Sequence, residues 1–260
     1  MKTLGIAATG MQAQQVNVDV IANNIANANT TGFKVGRAVF QDLIYQTMQR
    51  EGAANPDGTV RPVGVDIGLG VQAAGVVRLN TQGGMLQTDN QLDLAIEGDG
   101  YLIVTRPDGT EAYTRAGSLM LSPEGEIVTL DGNLIEPAMV VPENTTDVEI
   151  TPDGLVLAYT PDAIEPEEIG QLTLATFIND AGLKPIGNNL LLETVASGEP
   201  FIGNPGEEAV GIVRQGFLEG SNVDPIKQMT DLITAQRTYE MGAKALKAAD
   251  EMMQTANQIR

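Results

Sequence analysis

The sequence predicts an α+β fold in which N- and C-terminal coiled-coil-like helices pair with a central antiparallel all-β domain. Three observations carry that expectation. Seven-residue repeats occupy the two extreme ends, Pro-Asp-Gly-type turns punctuate the middle, and the segments between those turns are short, β-prone and without helical period.

At the N-terminus Leu4, Met11, Val18 and Ile25 recur every seven residues, with Ala8, Gln15, Ala22 and Asn29 four positions on. At the C-terminus Leu232, Tyr239, Leu246 and Met253 form the large series, and Met229, Gln236, Ala243, Asp250 and Asn257 the mixed one. Alternating steps of three and four put both series on one helical stripe. Each helix is expected to run about 30 residues, or roughly 45 Å. The seams are soft, because Ala, Gln, Asn and Asp bury little area at ~25 cal/mol/Å². Gly5, Gly10 and Gly242 each cost roughly 1 kcal/mol of helix stability relative to alanine. Two arrangements stay open: an antiparallel pair inside one chain, or helices that touch several partners. The polar seam and the flanking Ile21, Ile226, Ile233, Met252 and Ile259 favour the second. The candidate assembly residues are therefore Leu4, Met11, Val18, Ile25, Leu232, Tyr239, Leu246 and Met253.

Between Ala22 and Lys34 the chain reads ANNIANANTTGFK. Asparagine and glycine end helices because they tolerate left-handed backbone. A cap needs one such residue, yet Asn23, Asn24, Asn27 and Asn29 spread around the helix, which predicts hydrogen bonds to neighbouring chains.

Residues 33–75 are expected to be an extended connector. Gln49–Pro62 is rich in Gly and Pro, and 64–75 alternates small and β-branched residues. The β-domain is placed at 76–221 and the helical arms at 1–32 and 222–260. Turns are predicted at Pro107-Asp108-Gly109, Pro123-Glu124-Gly125, Asp131-Gly132-Asn133 and Pro152-Asp153-Gly154. Strands are predicted at Tyr101–Thr105, Glu126–Leu130, Leu172–Ile178 and Val210–Leu218, with a hairpin over Val148–Thr160.

Composition narrows the function. With no histidine or cysteine, imidazole proton shuttles, Ser-His-Asp and Cys-His catalysis and thiolate metal sites are excluded. No enzyme, cofactor or metal role is expected. Gly68-x-Gly70 and Gly98-x-Gly100 lack the third glycine of a dinucleotide loop, and no spaced EF-hand loop exists. The net charge is −19, while 1–45 and 223–260 carry +1 and 0, so the middle carries −20. That distribution argues against nucleic acid and anionic membrane as partners and lets the ends pack against their own copies. No apolar run spans a bilayer, and the start predicts no cleaved signal peptide.

ANNIANANTTGFK resembles the N-terminal signature of the flagellar rod and hook family of axial proteins. Gly216–Glu251, with its Gln236-Arg237-x-Tyr239-Glu240 core, is similar to that family's C-terminal signature and adds Gln236 to the assembly residues. Thr81–Tyr101 looks like the lead into the family's β-domain. Leu174–Gly198 and the 46–63 insertion resemble its distal rod branch. The resemblance implies arms that form concentric layers around an export channel and a β-domain that faces outward. It implies a location in the flagellar basal body, in a rod spanning the periplasm. Implied partners are copies of the chain in a helical homopolymer, proximal rod proteins, the hook protein, the surrounding rings, the rod cap and the export apparatus. Gly5 and Gly242 replace bulkier family residues, which predicts locally looser helix packing. The competing readings are a proximal rod or hook subunit, and a secreted β-rich binding domain on a helical stalk.

Overall fold

A computed structural model of the chain describes residues 2–50, 52, 63–161, 166–207 and 210–258. It has the α+β composition expected, with one long helix near each end and antiparallel strands between them. The chain forms two compact units, one from residues 1–26, 36–77 and 224–260 and one from 27–35 and 78–223. The 36–77 excursion thus groups with the helices. Most of the Gly- and Pro-rich insertion, residue 51 and residues 53–62, lies outside the described residues.

The helical unit contains α1 (Lys2–Ala26), β1 (Gly36–Asp42), β2 (Tyr45–Gln49), β3 (Val65–Gly68), β4 (Val71–Arg78) and α2 (Pro225–Gln258). Asp224 caps α2, its Oδ1 accepting the N–H groups of Ile226 and Lys227 at 3.0 and 3.2 Å, and Pro225 fills the first helical position. The two helices are antiparallel neighbours: Asn24 meets Gln228 at 3.1 Å, while Met11 lies against Gly242. Gly242 marks close packing, contrary to the expectation of looseness there. A Cβ at this position would stand 2.9 Å from Met11 Cγ, so the small residue is what admits the neighbouring helix. Gly5, by contrast, has open space around it. The β1–β4 pair covers another side of α1, with Gly36 against Val20, Asn24 and Val76.

The β unit holds sixteen described strands. Its centre is β7 (Tyr101–Thr105), which pairs antiparallel with β8 (Glu111–Thr114), β11 (Leu134–Ile135) and β15 (Leu174–Thr176). Through β11 the sheet continues to β10 (Ile127–Thr129) and β9 (Leu119–Leu121), through β8 to β17 (Leu190–Leu192) and β16 (Lys184–Gly187), and through β15 to β18 (Phe201–Gly203). Alternation along β7 feeds both faces. Leu102 and Val104 join Leu94, Ile96, Leu119, Leu172, Leu174 and Val213 on one side. Tyr101 and Ile103 join Tyr113, Ala175 and Leu183 on the other, where Phe177 meets the Tyr113 ring edge-on at 4.8 Å.

The predicted 148–160 hairpin is present as β12 (Asp147–Ile150) and β13 (Leu155–Tyr159), and β14 (Glu167–Gln171) adds a third strand. All four predicted turns share one geometry. Gly109, Gly125, Gly132 and Gly154 have φ of 78°, 82°, 79° and 82°, and each glycine N–H bonds the carbonyl three residues back. This is a type I turn closed by a left-handed residue, which glycine adopts without penalty. The predicted Val210–Leu218 strand is instead two, β19 (Ile212–Gln215) and β20 (Phe217–Glu219), because Gly216 turns the chain at φ 72°. They pair with β6 (Leu94–Glu97) and β5 (Met85–Gln87) respectively.

Candidate assembly site

On α1 the four large seam residues, Leu4, Met11, Val18 and Ile25, are half-buried, and Ala13, Ile21 and Asn24 are buried. On α2 Leu232, Leu246 and Met253 are half-buried, Ala235 is buried, and Gly242 and Ala249 lie half-buried on the same stripe. The intrasubunit seam therefore pairs the large series with small residues at 235, 242 and 249. Gln236 and Tyr239 are exposed.

Asn24 bonds within the subunit, where the sequence reading looked for bonds to neighbouring chains. Its Nδ2 donates to the Gly36 carbonyl at 2.8 Å and to Gln228 Oε1, and its Oδ1 accepts the Gly36 N–H at 2.9 Å. The amide thus stands in for a strand partner, joining helix to ribbon. Asn27 accepts from the Thr30 hydroxyl and backbone just beyond the helix end. Asn23 is exposed but not without a partner.

With one side of α2 occupied by α1, the opposite side stays open and mixed, its apolar side chains interleaved with the exposed Arg237, Glu240, Lys244, Lys247 and Glu251. Ile226, Met229, Ile233, Met241 and Met252 are each more than half exposed, at spacings that keep them on the outward half of the helix. The β2–β3 hairpin is likewise covered with exposed apolar side chains, among them Tyr45, Met48, Val65 and Ile67. A two-stranded hairpin is marginally stable by itself in water.

Sequence reasoning assigned no role to a buried charge cluster in the β unit. Glu219 is 1% exposed. Its Oε1 accepts from Lys34 Nζ at 2.6 Å and from the Gly83 N–H at 2.9 Å, and its Oε2 accepts from Arg115 Nε at 2.8 Å. Lys34 also donates to the Thr81 carbonyl at 2.8 Å. Arg115 donates to the carbonyls of Gly98 and Ile96 at 2.6 and 3.3 Å, with its guanidinium carbon 5.7 Å from the centre of the Tyr101 ring. Burial pushes the Glu219 carboxyl up, but Arg115 and the bonds from Lys34 and Gly83 outweigh it and hold it below the usual carboxylate range. Burial lowers the Lys34 ammonium, and the bond to Glu219 offsets this only in part.

Beside the cluster, residues 32–35 and 219–222 run side by side. The Gly32 N–H bonds the Glu219 carbonyl at 2.8 Å, and the Val35 N–H bonds Asn222 Oδ1 at 2.7 Å. Asn222 Nδ2 reaches the carbonyls of Leu79 and Thr81 at 2.8 and 3.0 Å. The sequence carries no local signal for this cluster, because its other members lie 104 and 185 residues from Glu219.

Comparison with known proteins agrees with this layout. Residues 4–34 match the family model of the flagella basal body rod protein, 95–158 that of the flagellar hook protein FlgE/F/G D1 domain, and 214–259 that of the flagellar basal body rod FlgEFG protein C-terminal region. The chain is 49% identical to a flagellar basal-body rod protein FlgG of Caulobacter vibrioides, with both chains covered in full. It is 49% identical to that of Agrobacterium fabrum over 97% of each chain. With that of Borreliella burgdorferi it shares 45% identity over 100% of this chain and 99% of the relative.

Proposed function

The chain belongs to the flagellar basal-body rod protein family, and from that premise we propose that it is the structural subunit of the distal rod, polymerising into a helical tube that acts as drive shaft between motor and hook. It assembles with other rod and hook components of the basal body. Its neighbours there are the proximal rod proteins, the hook protein, the rod cap and the surrounding rings, in a rod that crosses the periplasm after delivery by the export apparatus.

The observation that carries the polymer reading is the set of exposed apolar side chains on the open side of α2. Leu232, Leu246 and Met253 share the half-buried stripe with Gly242, while Ile226 and Ile233 on the open side, with the exposed Tyr239 and Gln236 at the edge of that stripe, are left for neighbouring copies. Covering an isoleucine contributes about 1.5–3 kcal/mol, and each 1.4 kcal/mol is tenfold in an association constant. The Ile226→Asp/Ile233→Asp double variant should therefore raise the critical concentration for polymerisation, read by sedimentation, by about a hundredfold or more. Unfolding of the β unit should stay unchanged. Polymerisation at the wild-type concentration would remove α2 from the subunit interface.

The insertion at 46–63 is assigned a bracing role, supported by the apolar hairpin from which it extends. Deleting it should leave a polymer of lower bending stiffness, measured from contour fluctuations in electron micrographs. Unchanged stiffness would rule the brace out.

A further inference from the structure

We propose that the buried Lys34–Glu219–Arg115 triad is a register-setting device: it fixes the alignment of residues 32–35 against 219–222, and with it the alignment of the helices that continue from those segments. The inference rests on the polymer reading, since only an ordered assembly demands one alignment.

The ladder to β5 fixes β20 only as far as Glu219, and beyond it neither 220–222 nor 32–35 belongs to a strand, so few contacts define how these segments align. Phe33, Val35 and Leu218 are only half-buried, and Gly32, Gly83, Gly84 and Gly220 line the contact with backbone alone. Glycine-rich extended segments outside a ladder have no apolar pattern to resist a shift. A slip of one residue moves an extended chain by about 3.3 Å. The ion cluster cannot follow such a slip. Both Glu219 oxygens are already engaged, by Lys34 and Gly83 on one side and Arg115 on the other, and any displacement leaves buried charges unpaired. Buried ion clusters add little net stability over apolar residues of similar volume, and their best-attested use is in specifying one registry over others. Asn222 completes the device, since its amide meets the Val35 N–H and the carbonyls of Leu79 and Thr81 together only at this alignment.

The test replaces the whole triad with apolar residues, Lys34→Met/Arg115→Met/Glu219→Leu, in the full chain. The expected monomer is folded, with an unfolding midpoint at or above that of the wild type. Amide hydrogen exchange at Gly32 and Val35 should accelerate at least tenfold while amides of β7 and β8 keep their protection. The critical concentration for polymerisation should rise at least tenfold, with loss of helical order in electron micrographs. A folded triple variant with wild-type exchange at Gly32 and Val35 and wild-type polymer order would overturn the proposal. So would an unfolded triple variant, if the milder Lys34→Met/Glu219→Gln pair is folded and polymerises normally; the pair is expected to lose polymer order as the triple does. Should the wild-type chain itself fail to polymerise, the polymer reading falls separately, and the exchange measurement still decides the register.

Discussion

Replacing Glu219 with alanine should destabilise the β unit by about 3–5 kcal/mol, the cost of leaving partnered buried charges without their counterion. Lys34 and Arg115 would keep their bonds to backbone carbonyls but lose the carboxylate bonded to both, and the Gly83 N–H would lose its acceptor. Against a total stability of about 5–15 kcal/mol for a domain, this is a large fraction. Urea unfolding of the dilute monomer measures it, and adding Lys34→Met to Glu219→Ala should recover part of the loss by removing one stranded cation. A loss under about 1 kcal/mol would mean that water reaches the cluster. The same carboxylate supplies an acid dependence. Its folded-state pKa is depressed below the usual carboxylate range, with Arg115 and Lys34 the charges facing it. Its contribution is therefore fully present above pH 4.5 and drains away as pH falls through the lower, folded value. Glu219→Gln should flatten that part of the stability–pH curve.

Gly32→Ala should cost about 2–5 kcal/mol by a different route. Gly32 sits at φ 69°, where an L side chain carries about 1–2 kcal/mol of strain. Its new Cβ would stand 2.8 Å from the Arg115 carbonyl carbon and 2.9 Å from the Ala116 nitrogen, backbone atoms that no rotamer change can move aside. Overpacking of this kind adds about 1–3 kcal/mol. Gly109→Ala is the control. It has a similar φ of 78° but nothing within 4 Å, so strain alone should show. Equal losses at the two positions would mean that the Arg115 backbone yields freely.

The parts of this fold that could be read from sequence are those encoded locally. Each Pro-Asp-Gly-type turn carries its geometry in three or four residues, and the Val148–Thr160 hairpin follows from one such turn between alternating residues. The large helical series marked the stripe on which the helices meet, with its leucines and methionines half-buried and Tyr239 exposed. Their small partners were not legible: alanine and glycine at 235, 242 and 249 carry no apolar signal, although they are what lets the helices approach. The buried cluster was illegible for a second reason. Lys34 and Glu219 are 185 residues apart, and a charge beside glycine reads as solvated until its distant partner is known. Gly216 split a predicted strand because one positive φ ends a ladder that the flanking apolar residues would have continued.

The long separation between first and last partners bears on how the chain matures. The β unit has Lys34 near one end of its sequence and Glu219 near the other, and β5 and β6 find their mates only in β20 and β19. Pairings of such sequence separation close late, because the entropy of a long loop must be met before any contact rewards it. A chain threaded through a narrow conduit, in whichever direction, thus cannot seal this core until nearly all of the intervening polypeptide has come through. Topology alone places the closing of this core after the arrival of its last strands.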